Sequence, residues 1–294
     1  MIVLFIVLTF LFIIIRLRGN PIQFIIPIEM TRPEEVARLT ELLGFNDPLW
    51  MQYLRFMVNA IRGDFGYSYA FHADAFRLVS SRLFASLQLA ISAITLAVAV
   101  AVPLGILAAL QRNRPADILI TSLATVGRSM PDFWFGILLI LFFAVFLGWL
   151  PVSGRSSLLS MIMPTLALAA GPSTTISRLV RSTLLDVLSL DYIRTARAKG
   201  LDERTVIFRH ALRNALIPVV TVIGMQIPWL FGGAVIIERV FAWPGIGQLM
   251  VQAINLRDMS VIQSGTFFIT LMILLAALTV DLIYPVLNPT VRFK

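Results

Sequence analysis

The stretches Leu83–Leu110, Phe133–Leu150, Ala215–Ile237 and Val261–Val280 carry no charged residue. About 20 apolar residues in helical form cover the ~30 Å of hydrocarbon in a bilayer. Runs of that length leave few folds open, because lipid offers nothing to satisfy backbone N–H and C=O groups. The expected class is therefore an all-α integral membrane protein. Composition agrees, with 58% hydrophobic residues and a mean hydropathy of +0.87, where soluble domains average roughly 45–50% apolar.

The remaining segments fall into place around these runs. Met1–Ile15 is apolar but short. It lacks the basic start and small-residue cleavage site of a signal peptide. It reads as a first span over 1–17, shortened at its start or anchored at the interface by Arg16 and Arg18. Residues 18–82 hold seven arginines against seven acids, too balanced and too long for a cytoplasmic tether, and are expected to form an extracytoplasmic cap. Within them, "TRPEEVARL" resembles a helix start with Pro33 near its first turn, and "GDFGYS" (Gly63–Ser68) is turn-rich. A second span covers 83–110, with a bend at Pro103 and Gly105.

The segment 116–151 is too long for one straight span, since about 36 residues at 1.5 Å each reach ~54 Å, and the third span is placed in 116–150. "GRSMPD" interrupts it, and Pro131 disfavours a helical Met130. A broken third span is expected, with its break at Ser129–Pro131 and with Arg128 and Asp132 placed to pair; the alternative is a helix end at the interface. Irregular backbone at membrane depth needs protein or a water-filled cavity beside it. A fourth span covers 158–177, a fifth 215–237 with Pro218, Pro228 and Gly232-Gly233, and a sixth 261–285. About six spans result. Residues 178–213 carry eight basic side chains against four acids, and the loop "QRNRPAD" and tail "NPTVRFK" are also basic. The positive-inside bias then places both termini and the loops 111–117 and 186–214 in the cytoplasm, with 238–260 outside. The same bias accounts for the net charge of +8 without recourse to nucleic acid.

The most informative polar stretch is "DYIRTARAKGLDERTVIFRHALRNALIP", Asp191 to Pro218. Asp191–Lys199 reads as a short amphipathic helix kept low by Thr195, Ala196 and Ala198. Gly200 fits the left-handed position that ends a helix. Asp202 is placed to cap the next helix, aided by Glu203, and Val206, Ile207, Ala211 and Leu212 give that helix an apolar stripe. A compact helix–turn–helix joined to two spans suits a rigid knob for a groove on another protein, against the alternative of a solvated basic loop.

At these residues the chain resembles the permease subunits of ATP-binding-cassette importers, in the dipeptide/oligopeptide/nickel group. The family's cytoplasmic pattern is Glu-Ala-Ala, three residues, then glycine; Arg194-Thr195-Ala196 and Gly200 occupy those positions, with Arg194 where the acid stands. Further blocks appear in family order: "GDFGYS", "SMPDFWFGILLI", "WLPVSG", "RLVRSTLLDVLSLDYIRTARAKGL", "GGAVIIERVFAWPGIGQL", "RD" at Arg257-Asp258 and "DLIYPVLNPTVR". The tail has Asn288-Pro289-Thr290 where Asp-Pro-Arg is usual, and the first span is short. The resemblance implies a type I importer permease fold, with a coupling helix that docks an ATPase through Tyr192, Arg194, Thr195, Ala196, Arg197, Ala198, Lys199, Gly200 and Leu201. It implies a second homologous permease, two ATPase subunits holding the ATP and Mg, an extracytoplasmic binding protein, and residence in the inner membrane. Peptides are the expected cargo, with nickel, glutathione or opine-like solutes as alternatives.

Other chemistry finds little support. No Gly-Lys-Ser/Thr is present, since Lys199 and Lys294 follow Ala198 and Phe293, so a Walker A loop is excluded. "GYSYA" and "GRSSL" fail the Gly-x-Ser-x-Gly pattern. With no cysteine and two separated histidines, His72 and His210, no metal or cofactor site is expected in this chain. An ion-coupled transporter would place charges at mid-membrane, where the uncharged spans have none, Asp132 being the nearest candidate. The expected pathway lining is Ser129, Pro131, Asp132, Gln226, Gly232 and Gly233.

Overall fold

The computed structural model describes residues 2–17, 34, 38, 40–41 and 44–287, apart from the side chains of Arg128, Asp281 and residues 283–287. The helix start read at 31–39, the basic tail and the pairing of Arg128 with Asp132 lie outside that description. The described chain is helical nearly throughout, and divides into two compact units: Met1–Ser86 with Pro244–Met272, and Leu87–Trp243 with Ile273–Lys294.

In the first unit, α1 (Ile2–Leu17) is apolar and carries Arg16 in its last turn. Its 16 residues reach about 24 Å, short of the hydrocarbon thickness. It packs on α2 (Leu49–Arg62), where the Thr9 and Tyr53 hydroxyls meet at 2.8 Å and Phe12 lies edge-on to Tyr53. Gly63 ends α2 in the left-handed conformation, its N–H turning back to Ala60. A two-residue hairpin follows, β1 (Tyr67–Ser68) against β2 (Ala73–Asp74). The buried Ser68 hydroxyl donates to the buried Asp258 carboxylate, which also accepts from the Val261 N–H at 3.1 Å.

Two long helices run on from this unit into the second. α3 (Ala75–Leu110) spans 36 residues and begins eight residues before the expected second span; α10 is Met259–Leu287. The second unit adds α4 (Pro115–Ser129), α5 (Asp132–Phe146), α6 (Leu158–Leu188), α7 (Asp191–Ala198) and α8 (Glu203–Val240), with α9 (Ile246–Asn255) returning the chain to the first. Four of these, α3, α6, α8 and α10, are long and apolar enough to cross a membrane, or five spans if the bent pair α4 and α5 counts as one. Together with the short α1 this is near the six read from sequence.

Helices continue through internal prolines at Pro103 in α3, Pro172 in α6, and Pro218 and Pro228 in α8. Membrane helices tolerate this where neighbours re-satisfy the freed carbonyls. α8 packs along α6, which also carries α4 and α5. Small residues set the closest approaches. A Cβ on Gly105 would lie 2.6 Å from the Ser177 carbonyl, so α3 meets α6 at a spacing that only glycine permits. Beyond α5, the loop ahead of α6 is fixed by the Gly154 N–H donating to Phe241 at 2.8 Å, and by Arg155 over the buried Trp243 ring.

Candidate coupling segment and transport pathway

α7 is amphipathic in a simple way. Ile193 and Ala196, one turn apart, are buried, while Tyr192, Arg194, Thr195, Arg197 and Ala198 are exposed. The buried pair enters a cluster with Ala109 of α3, Leu184 of α6 and Val206, Ala211 and Ala215 of α8. The short helix is thus bolted to three long ones by apolar contact. Its exposed residues are tied down locally: Arg194 to Asp191 at 3.3 Å, the Thr195 hydroxyl to the Asp191 carbonyl at 3.0 Å, and the Tyr192 hydroxyl accepting from the Asn214 amide at 2.8 Å.

Lys199 ends α7 and Gly200 takes φ +77°, the left-handed value that favours glycine. A Cβ built there meets nothing within 4 Å, so the position is open on this chain. Leu201 is exposed. Asp202 then caps α8 by accepting from the Thr205 N–H at 3.1 Å, and these hydrogen bonds hold its carboxyl below the usual range. Across the turn, Arg197 grips Glu203 with two contacts of 2.6 and 3.1 Å, which raises the guanidinium's pKa further. α8 opens with a π-helical segment, Val206–Ala211, whose wider turn brings Val206, Ile207 and Ala211 to the buried side.

One expected contact residue is corrected. Ala196 is 8% exposed and lies in the core cluster, so its small size serves the packing of α7 on its own subunit and leaves no face for a partner. Sequence reasoning missed Ile193, which fixes the whole segment. Its spacing of three from Ala196, in a helix otherwise polar, was the available signal.

The second group of residues centres on the break between α4 and α5. Met130 and Pro131 are extended, at ψ 133° and 139°, and α5 starts at Asp132. The Ser129 hydroxyl bonds back to the Thr125 carbonyl at 3.0 Å. Asp132 is half-buried between α6 and α8. A Cβ on Gly171 would come 3.6 Å from its Oδ1, and one on Gly233 3.8 Å from its Oδ2. The same Gly171 Cβ would sit 3.0 Å from the Trp229 ring, which missed notice in the sequence and is 46% exposed. So Asp132 and Gly233 come together, with Pro131 adjoining. Gly232 faces open space, and Gln226 lies half-buried farther along α8.

On the other side of the break, a cavity of about 520 Å³ opens among α4, α6 and α8, lined by Thr121, Thr125, Thr175, Arg178, Ser182 and Val222, with Arg181. Arg181 is held by the buried Asp117 at the start of α4, through two contacts of 2.6 and 2.7 Å, and Asp117 also accepts from the Asn113 N–H at 2.9 Å. Nothing in the sequence links these residues, which lie 64 positions apart. Among the described residues no three His, Cys, Asp or Glu side chains converge.

Long apolar helices, one of them broken beside a carboxylate, and a polar helix–glycine–helix fastened to their ends mark a multi-pass membrane protein. Residues 101–293 match the family model described as binding-protein-dependent transport system inner membrane component, and the chain belongs to that family. It is similar to the glutathione transport system permease protein GsiC of Escherichia coli strain K12, 41% identical over 292 residues, covering 98% of this chain and 94% of the relative. GsiC of Salmonella paratyphi A is likewise 41% identical, over 288 residues with the same coverage. Among solved structures, the inward-facing MetNI methionine ABC transporter aligns with a TM-score of 0.59 at 18% identity, over 72% of this chain and 96% of that one. An amino acid ABC transporter solved with histidines gives 0.52 at 18% identity, over 73% and 94%. The fold is that of an ABC importer permease, and the chain is the permease subunit of an ATP-driven importer in the inner membrane. ATP hydrolysis belongs to separate ATPase subunits, and a substrate-binding protein is the other class of partner.

Proposed function

We propose that this chain forms half of a translocation pathway, completed by a second, homologous permease. Two ATPase subunits, which hold the ATP and Mg, each grip one cytoplasmic knob built from residues 191–201. In this reading both termini and the 186–214 loop are cytoplasmic, 18–82 and 238–260 face outward, and the pathway borders Ser129, Pro131, Asp132, Gln226, Gly232 and Gly233. The cargo is a peptide, with glutathione a specific candidate because the relatives above carry that name.

The observation that carries the reading is the two-sidedness of α7. Its inner side is packed on α3, α6 and α8 through Ile193 and Ala196, so a push on its outer side moves three long helices together. That outer side leads to Gly200, where the chain itself leaves open space. An ATP-driven closure of the ATPases has here a handle rigidly joined to the spans.

The test uses two substitutions at one position. Gly200→Ala carries the strain of a side chain at positive φ, about 1 kcal/mol, with almost no bulk. Gly200→Trp adds the bulk that a socket cannot take. The expected outcome is that the alanine variant retains most uptake and ATPase co-purification, while the tryptophan variant inserts normally, loses most uptake and releases the ATPases. Parental uptake and co-purification in both variants would reduce the segment to a solvated loop. Ala196→Trp is no substitute, since its bulk would break the packing of α7 on this subunit.

A further inference from the structure

Asp132 stands in the first turn of α5, where an acid is favoured, but its carboxylate has no bonded partner among the described residues: no N–H or O–H donates to it and no cation pairs with it. It is followed by Phe133, Trp134 and Phe135 in a segment that is apolar to its end. A carboxylate left half-buried among such neighbours costs free energy unless something else compensates it. The packing around it adds no cover. Gly171 and Gly233 stand beside its two oxygens, where an added Cβ would come only into ordinary contact with them, and the Trp229 indole flanks Gly171 with nearly half its surface open.

We propose that Asp132, with the Trp229 ring beside it, is a subsite for the ammonium group of the transported molecule. The proposal rests on the permease reading and names its substrate class: peptides and other solutes carrying a free primary amine. The chemistry discriminates among possible occupants. An anion is repelled. A hard metal ion wants six or more oxygen ligands, and among the described residues no group of three or more His, Cys, Asp or Glu side chains could hold one. A primary ammonium is satisfied with less: one carboxylate as acceptor and ion partner, and an indole face that attracts the cation through its quadrupole. The two glycines let the atoms attached to that nitrogen approach the helix backbones.

The experiment takes the assembled permease–ATPase complex in lipid nanodiscs, without binding protein, and titrates it calorimetrically with alanyl-alanine and glutathione and with the N-acetylated form of each. Saturable binding of at least one free amine is expected, weakened tenfold or more by acetylation. In Asp132→Asn that preference disappears; in Asp132→Glu part of it returns. Trp229→Leu weakens the free amine more than Trp229→Phe does. In the presence of binding protein, Asp132→Asn lowers uptake at least tenfold with the ATPases still attached. Absence of saturable binding to the parental complex, equal binding of free and acetylated probes, or loss of ATPase co-purification in Asp132→Asn would each overturn the subsite. Because the Gly200 variants report on ATPase attachment and these on amine preference, failure of one reading is separable from failure of the other.

Discussion

Asp117 and Asp132 head the two halves of one broken helix, yet they have opposite surroundings. Asp117 is buried and saturated: Arg181 meets both its oxygens, and the Asn113 N–H adds a third bond. Asp132 is only half-buried and, among the described residues, has no such partners. The first arrangement is what a structural acid requires. A charge removed from water needs a partner of good geometry and donors for its remaining lone pairs. The pair clamps the start of α4 to α6, two helices that share a long contact. The second arrangement meets none of these demands among the described residues beyond the favourable start of α5, which is the setting of the amine subsite proposed above. Two acids of the same type on one element thus separate into a clamp and a receptor by their hydrogen bonds alone.

The largest effect should follow from breaking the clamp on one side. Asp117→Ala leaves the Arg181 guanidinium, 26% exposed, without its carboxylate. Breaking a fully buried pair in this way costs about 3–5 kcal/mol, and about 3 kcal/mol or somewhat less here, because the stranded guanidinium still reaches water. The variant should therefore show a markedly lower unfolding midpoint in nanodiscs and poor accumulation in the membrane. A midpoint equal to the parent's would mean that the contact is incidental and that the contrast with Asp132 is false.

Replacing both partners should cost far less. In Asp117→Leu/Arg181→Met no charge is left stranded, and apolar substitution of a buried pair is often neutral or stabilising. The double variant is expected to recover most of the midpoint lost in Asp117→Ala, and a thermodynamic cycle over Asp117→Leu, Arg181→Met and the double variant reads the coupling directly. If the double variant is as unstable as the single, the loss lies in the cap that Asp117 provides for the Asn113 turn and not in the ion pair.

These two aspartates also show how far the sequence could be read. The uncharged runs announced the membrane class because lipid leaves the backbone no other choice, and Pro131 announced a break because its ring acts on the residue before it. Gly200 was legible for the same local reason, and adopts φ +77°. What depends on distant partners was not legible. Asp117 read as one charge of a short basic loop, because its partner lies 64 positions away on α6. Ala196 read as a contact residue, because a small residue on a polar helix looks the same whether it faces a partner or its own core; only the cluster with Leu184 and Val206 decides. Trp229 sat unnoticed in an apolar run, where one aromatic more carries no signal. Its position against Gly171 is a fact of how α6 and α8 cross.

The smallest effect on stability, and the most telling for the contrast, belongs to Asp132. An acid that contributes to the fold loses stability when neutralised; an acid held against the fold's preference does not. Asp132→Asn keeps the side-chain shape and removes the charge, along with the cost of keeping that charge half-buried without a cation. The unfolding midpoint of the nanodisc-embedded complex should therefore stay level or rise, by no more than about 1 kcal/mol in stability, while the same substitution abolishes the preference for free amines. Asp117→Asn provides the matched comparison. It retains one oxygen for Arg181 but no longer the charge, so it should fall between the parent and Asp117→Ala. A fall in the Asp132→Asn midpoint as large as that of Asp117→Asn would mean that Asp132 is compensated within the assembly after all, for instance by a cation from the second permease. Its half-buried charge would then be structural, like the one at the head of α4.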